Sequence, residues 1–212
     1  MEESAERRAL VVEDGAGHPL SLFSVPDCYC ADIDSVLIPH GLIHDRIRQL
    51  ATEIHREIGD RPLVLICLLK GAYRFFAVLA EWLAELRLTC NYLDQSTTGE
   101  VHSSGLSSID GSLGGANVLL VDDIFDTGLT MSRVVESLNA LTEPGGRIWT
   151  AVLLTKRTPR RRKDALREDF VAFSIPDRFV VGFGMDYNQR FRDLSHICVI
   201  SQSGIAKYKS GR

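Results

Sequence analysis

Three stretches of the chain are almost wholly apolar: Leu63–Leu69, Val118–Val121 and Ile148–Leu154, the last interrupted only by Thr150. A fourth, Phe179–Met185, is broken only by glycine. Such runs suit strands buried on both faces of a parallel sheet. Other segments carry the helical period instead. Ile43, Ile47, Leu50, Ile54 and Ile58 recur at spacings of four, three, four and four, which predicts an amphipathic helix. Ile38-Pro39-His40-Gly41 reads as the turn before it, and Gly59 as its C-cap. An apolar-rich helix is predicted from about Arg74 to Leu86. Met131, Val134, Val135, Leu138 and Leu141 predict another. Leu86, Leu88, Cys90 and Tyr92 alternate with polar residues, which leaves a short half-buried strand open there. Phe170–Phe173 and His196–Ile200 read as short strands, with Ile175-Pro176-Asp177 a turn. Residues 94–116 are polar, rich in Ser, Thr and Gly, and aperiodic. That is long for a connection and points to a functional lid. The alternation of strand and helix predicts one α/β domain over residues 1–212, with 1–20 a partly ordered N-terminal arm.

A length of 212 residues fits one such domain with a sizeable core. The net charge of −4 removes the electrostatic case for general nucleic-acid binding. No apolar run approaches the length of a membrane span. The five cysteines are odd in number and scattered, and Cys28-Tyr29-Cys30 has no partner pair at zinc-like spacing. The first residues are acidic and polar, unlike a secretory leader, so the expected compartment is the cytoplasm.

Candidate chemistry sits where the apolar runs end. Lys70-Gly71 follows the first run, Asp122-Asp123 the second, Lys156 the third and Asp186 the fourth. If the four strands are parallel, these ends share one rim, where open α/β sheets bind ligands. Between Asp122-Asp123 and the next helix lies Ile124-Phe125-Asp126-Thr127-Gly128-Leu129-Thr130. A tight loop opening a helix aims backbone N–H groups at an anion, and the two threonines add donors. Paired acids beside an anion site make sense with hydroxyls or a hard cation such as Mg2+ between them. The basic run Arg160-Arg161-Arg162-Lys163 reads as a solvated surface loop.

The string from Val121 to Thr130 resembles the phosphoribosyl-diphosphate signature of the type I phosphoribosyltransferases. Ile38-Pro39-His40-Gly41, Leu69-Lys70-Gly71, Lys156-Arg157-Thr158-Pro159, Phe179-Val180-Val181-Gly182, Asp186-Tyr187-Asn188 and Phe191-Arg192-Asp193-Leu194 narrow the resemblance to its hypoxanthine-guanine branch. The resemblance implies a central, mainly parallel sheet flanked by helices, a small hood from the terminal segments and a flexible active-site loop. It implies a purine-salvage transferase that moves the 5-phosphoribosyl group from phosphoribosyl diphosphate to N9 of hypoxanthine or guanine. Asp122 and Asp123 would bind the ribose hydroxyls and the Mg2+ around them. Asp126 would be the general base, and Asp126 to Thr130 would hold the 5′-phosphate. Lys70-Gly71 and Arg192 would meet pyrophosphate, and Asp186 would ligate a second Mg2+. Lys156 would donate to the exocyclic oxygen of the 6-oxopurine. Phe179 would stack on the base, Val180 would read its edge through the backbone, and Arg178 is counted with them as substrate-binding. A homodimer or homotetramer is implied, with no nucleic-acid partner and no membrane.

Two departures from that branch stand out. Leu129 takes a place where the branch usually has lysine. About a dozen residues, on the order of one strand and a turn, are missing before Asp94-Gln95-Ser96-Thr97, and with them a Lys-Ser-Tyr stretch. These departures support the alternative of a weak or inactive paralogue, or a shortened isoform, that binds nucleotide without turnover. A regulator on the same fold that binds RNA is a third reading, disfavoured by the acidic balance.

Overall fold

The computed structural model describes residues 9–86, 90–96, 113–142, 145–161 and 166–209. Six strands form one sheet, all parallel: β1 (Leu10–Val11), β3 (Leu63–Leu69), β4 (Cys90–Ser96), β5 (Asn117–Phe125), β6 (Ile148–Arg157) and β7 (Phe170–Pro176). Their order is β1-β7-β6-β5-β3-β4. Three more strands, β2 (Ile33–Ile38), β8 (Val180–Val181) and β9 (Ile197–Ile200), make a small antiparallel sheet in the order β2-β9-β8. The helices are α1 (Asp27–Cys30), α2 (His40–Ile58), α3 (Tyr73–Glu85), α4 (Leu129–Thr142) and α5 (Gln202–Tyr208).

The continuous apolar runs are explained by helices on both faces of the large sheet. On one face Leu63, Leu65, Leu119 and Val121 pack with Ile43, Ile47, Leu50 and Ile54 of α2 and with Phe75, Leu79 and Leu83 of α3. On the other, Ile66, Leu68, Val118 and Leu120 pack with Met131, Val134, Val135 and Leu138 of α4. The period of two along β5 sends neighbouring residues to opposite cores, and both are dry. Each fully buried Leu or Ile is worth about 1.5–3 kcal/mol relative to exposure, so the five on α2 dominate that helix's stability. Arg46, also on its buried face, is satisfied by the carbonyls of Ala172 and Val171 and by Glu53 at 2.9 Å. A third, smaller core joins Ile33, Val36, Val181, Phe191, Leu194, Cys198 and Ile200, which come from both ends of the chain. Among the described residues no helix is long and apolar enough to cross a membrane.

Several expectations are corrected. Helix α2 starts at His40 with Pro39 as its N-cap, so His40-Gly41 belong to the helix and not to a turn before it. Strand β7 continues through Ile175 and Pro176, paired with Lys156 and Arg157, where a turn was expected; a proline is tolerated at the end of a strand. Phe179–Met185 is no strand of the parallel sheet. Only Val180–Val181 pairs, antiparallel to β9, and then Gly182, Phe183 and Gly184 all take positive φ (96°, 50° and 99°) and curl the chain. A strand does stand before the expected lid: β4 lies beside β3 over its whole length, from Cys90 opposite Leu63 to Ser96 opposite Leu69. Asp94-Gln95-Ser96 are therefore strand and not loop. Of the rest of the expected lid, residues 97–112 lie outside the described residues, and 113–116 form a turn before β5 with Leu113 buried. Within the expected arm, Leu10–Val11 adds to the sheet edge beside Phe173 and Ser174.

Candidate active site

The topology fixes where a ligand belongs. From β3 the chain crosses through α3 to β4 on one side, then returns to β5 on the other side and moves outward through β6 and β7. The order reverses between β3 and β5, and the crevice beyond the strand ends at such a point is where doubly wound sheets bind ligands. The register pairs Cys67 with Val121, which carries Leu68–Lys70 alongside Asp122 and Asp123. A cleft of about 410 Å³ opens there, lined by Leu68, Leu69, Lys70, Gly71, Asp122, Asp123, Asp186 and Arg192. The peptide bond between Leu69 and Lys70 is cis.

The carboxylates of the cleft are under electrostatic pressure. Burial pushes the carboxyls of both Asp122 and Asp123 above the usual carboxylate range, and the like charge of Asp123 adds to the shift of Asp122. Asp122 Oδ1 accepts from the backbone N–H of Asp123 at 3.0 Å. Opposite them, Arg192 Nη2 pairs with Asp186 Oδ1 at 2.6 Å and Nη1 donates to the Gly184 carbonyl at 2.7 Å. The donor set is oxygen throughout. Among the described residues no three His, Cys, Asp or Glu side chains form a metal cage. That fits Mg2+, which is held by one or two carboxylates and completes its shell with water and substrate oxygens.

Gly71 is required by contact. A Cβ built there would overlap the Asp123 carboxylate outright. Gly71→Ala is expected to turn Asp123 out of the cleft and change binding of an anionic probe such as pyrophosphate by roughly tenfold or more. Isothermal titration checks this, and unchanged affinity would show that Asp123 does not face the ligand.

Beside this cleft, the end of β5 faces the end of β6. Phe125 pairs with Thr155, so Asp126 stands opposite Lys156. Lys156 Nζ is 3.8 Å from Asp126 Oδ2, and Arg160 Nη2 is 3.3 Å from the same oxygen. Asp126 Oδ1 is sealed from solvent and meets no donor among the described residues. Gly128 takes φ 80° where the loop turns into α4, and Leu129 N donates to Thr127 Oγ1 at 3.4 Å. Leu129 and Thr130 are exposed at the mouth of the loop, while Ile124 is half-buried.

Arg160 also reaches Asp177 Oδ1 at 2.9 Å, which links the Asp126 loop to the start of β8. There Phe179 is exposed, its ring centroid 5.2 Å from that of Tyr187 in an edge-on arrangement. Ile200 N donates to the Phe179 carbonyl across the Val180–Val199 pair. That pair is therefore the non-hydrogen-bonded kind, and Val180's own N–H and C=O point to the open edge of the small sheet. Arg178 is turned elsewhere: its guanidinium donates to the carbonyls of Ala16 (2.8 Å) and Asp14 (2.6 Å).

The basic run is not simply solvated. Besides Arg160, Arg161 pairs with the buried carboxylate of Glu168 and lies 4.8 Å over the Phe125 ring. Glu168 in turn accepts from Thr155 Oγ1 at 2.7 Å. This network under the Asp126 loop escaped sequence reading because its partners come from β5, β6 and the segment before β7. A lone glutamate before Asp169-Phe170 carries no signal of burial.

Residues 37–188 match the phosphoribosyl transferase domain family. The chain is 41% identical to the hypoxanthine-guanine phosphoribosyltransferase of Sus scrofa and 40% identical to that of Homo sapiens, in each case with 95% of this chain and 96% of the relative covered. Both alignments run to 215 positions, longer than the chain itself, so they open gaps opposite it. The crystal structure of hypoxanthine-guanine phosphoribosyltransferase from Schistosoma mansoni in complex with IMP superposes with a TM-score of 0.78 at 33% identity, over 94% of this chain and 98% of that one. With the switch-point cleft and the Asp126 loop in place, these similarities establish that the chain belongs to the phosphoribosyltransferase family, in its hypoxanthine-guanine branch.

Proposed function

We propose that the protein transfers the 5-phosphoribosyl group from phosphoribosyl diphosphate to N9 of hypoxanthine or guanine, giving IMP or GMP and pyrophosphate. The observation that carries this is Asp126 Oδ1, a buried acceptor with no donor among the described residues, one strand from a nearly buried lysine. A ring N–H of a purine supplies the missing donor, and Lys156 supplies one to its 6-oxygen. The open edge at Val180 reads the base, and Phe179 offers a ring to stack on it.

In this reading the 5′-phosphate sits on the backbone N–H groups of Asp126 to Thr130, at the positive end of α4. Asp122 and Asp123 take the ribose hydroxyls, and Lys70, Gly71 and Arg192 face pyrophosphate. Asp122 and Asp123 would hold one Mg2+ and Asp186 a second, and when bound these would neutralise charge on the departing pyrophosphate. The sugar passes through an oxocarbenium-like state steadied by the nearby carboxylates. The purine nitrogen attacks the anomeric carbon as Asp126 takes its proton. The exposed Leu129 leaves the loop backbone intact, so loss of a lysine charge there is tolerable. The pairing of β4 along β3 weakens the reading of a defective, shortened form. A cytoplasmic homodimer or homotetramer goes with this proposal.

The test is pyrophosphate release from Mg2+ and phosphoribosyl diphosphate with hypoxanthine, guanine, xanthine or adenine. Turnover with 6-oxopurines and not with adenine supports the proposal. A folded protein that binds nucleotide without turnover would make it the binding-only relative.

A further inference from the structure

The turn from Asp186 to Arg192 brings its two end residues together in the cleft, and its backbone is unusual. Tyr187 and Arg190 exchange N–H···O bonds at 3.2 and 3.1 Å, closing a tight turn. Asn188 and Gln189, at its tip, take φ of 50° and 65°, and the buried Phe191 takes 74°. L-residues other than Gly rarely hold this region, and a bulky aromatic there persists only where its surroundings fix it. Gln189 N donates to Asp186 Oδ2 at 2.7 Å, which helps from within. The rest of the support comes from helix α5.

Tyr187, Asn188, Arg190 and Phe191 each meet that helix. Tyr187 Oη donates to the Ile205 carbonyl at 3.3 Å, and Asn188 Nδ2 donates to the Tyr208 carbonyl. The Arg190 guanidinium lies 5.0 Å over the Tyr208 ring, and Phe191 meets the same ring edge-on at 5.3 Å. Tyr208 is itself tied down. Its hydroxyl donates to Asp32 Oδ2 at 2.9 Å, and Lys207 Nζ reaches both Asp32 oxygens at 3.1 and 2.8 Å. Asp32 is buried just before β2, and the Lys207 hydrogen bond leads in holding its carboxyl below the usual carboxylate range. On the other side, Tyr29 of α1 packs on Phe191 at 4.7 Å and donates to Asp193 Oδ1 at 3.0 Å.

We propose that Tyr208, anchored by Asp32 and Lys207, is a positioning residue that holds the Asp186–Arg192 turn in the form presenting both side chains to the cleft. This rests on the function proposed above for the identity of the ligand, Mg2+-pyrophosphate or its ribosyl ester. The mechanism is preorganisation. The turn conformation is costly for its residues, and α5 supplies the contacts that keep it populated before ligand arrives.

Tyr208→Leu keeps apolar volume but removes the ring face and hydroxyl. It is expected to raise the KM for phosphoribosyl diphosphate, and the dissociation constant of Mg2+-pyrophosphate measured by calorimetry, by roughly tenfold. The KM for hypoxanthine should rise less, by under about threefold, because the base site touches neither Tyr208 nor Asp32 and meets the turn only through the Phe179–Tyr187 ring contact. Tyr208→Phe, which keeps the ring, should recover most of the loss. Should Tyr208→Leu fail to fold, Lys207→Met is a change at a solvent-facing side chain that should give the same split at smaller size. A rise shared equally by both substrates overturns the proposal. So does a lowered unfolding midpoint with phosphoribosyl diphosphate handling unchanged. Wild-type protein that binds Mg2+-pyrophosphate in a Tyr208-dependent way but turns over no 6-oxopurine would sink the transferase reading and leave this one standing. Wild-type protein that does neither would sink both.

Discussion

Asp126→Asn is expected to lower kcat by roughly two to four orders of magnitude while phosphoribosyl diphosphate still binds at near its original strength. The amide keeps the shape of the carboxylate, so the loop from Asp126 to Gly128 has no steric reason to move. It cannot accept a proton. In the structure Oδ2 is covered by Lys156 at 3.8 Å and Arg160 at 3.3 Å, while Oδ1 meets no donor among the described residues. The reaction needs an acceptor at that place as the purine nitrogen attacks. The phosphate, by contrast, meets backbone N–H groups that the substitution leaves alone. Single-turnover kinetics beside equilibrium binding of phosphoribosyl diphosphate separates the two effects. Turnover near the wild-type rate would remove Asp126 as the base.

The part of the site that is contiguous in sequence was readable from it. Val118 to Thr130 contains a buried strand, two acids, a turn and the start of a helix, and each has a local signature. The structure places them as β5, the cleft and the start of α4. Asp126 and Lys156 were also readable as neighbours, because parallel strands that end in charge end at one rim. The failures have a common cause. Val180–Met185 is apolar because it is buried, and burial alone does not make a strand; Gly182 and Gly184 allow the positive φ that curls it. Arg160 and Arg161 look like a charge run, since their partners Asp126, Asp177 and Glu168 are brought in by other elements. Asp32 shows the same limit. Its partners lie about 175 residues away, at the other end of the chain, and no local pattern marks a carboxylate whose cation arrives with the last helix.

Lys156→Ala should cost the protein its hold on 6-oxopurines. Its side chain is nearly buried, so its ammonium has few alternatives to the Asp126 carboxylate and an incoming purine oxygen. Without it, the purine oxygen loses the strong donor that the end of β6 offers. A buried acceptor left unpaired there costs about 1–3 kcal/mol, and loss of a charged partner moves the figure toward the upper end. The expected result is a fall of roughly a hundredfold in kcat/KM for hypoxanthine and guanine, most of it in purine binding, with the KM for phosphoribosyl diphosphate little changed. Discrimination against adenine should shrink at the same time. A site built around a donor rejects an amino group at the same place, and removing the donor removes the ground for rejection. Arg160, 3.3 Å from the same carboxylate, remains to keep Asp126 paired, so the base itself should survive the change. Steady-state kinetics with hypoxanthine and adenine in parallel decides it. Unaltered preference between the two would mean that the backbone edge at Val180, and not Lys156, reads the ring.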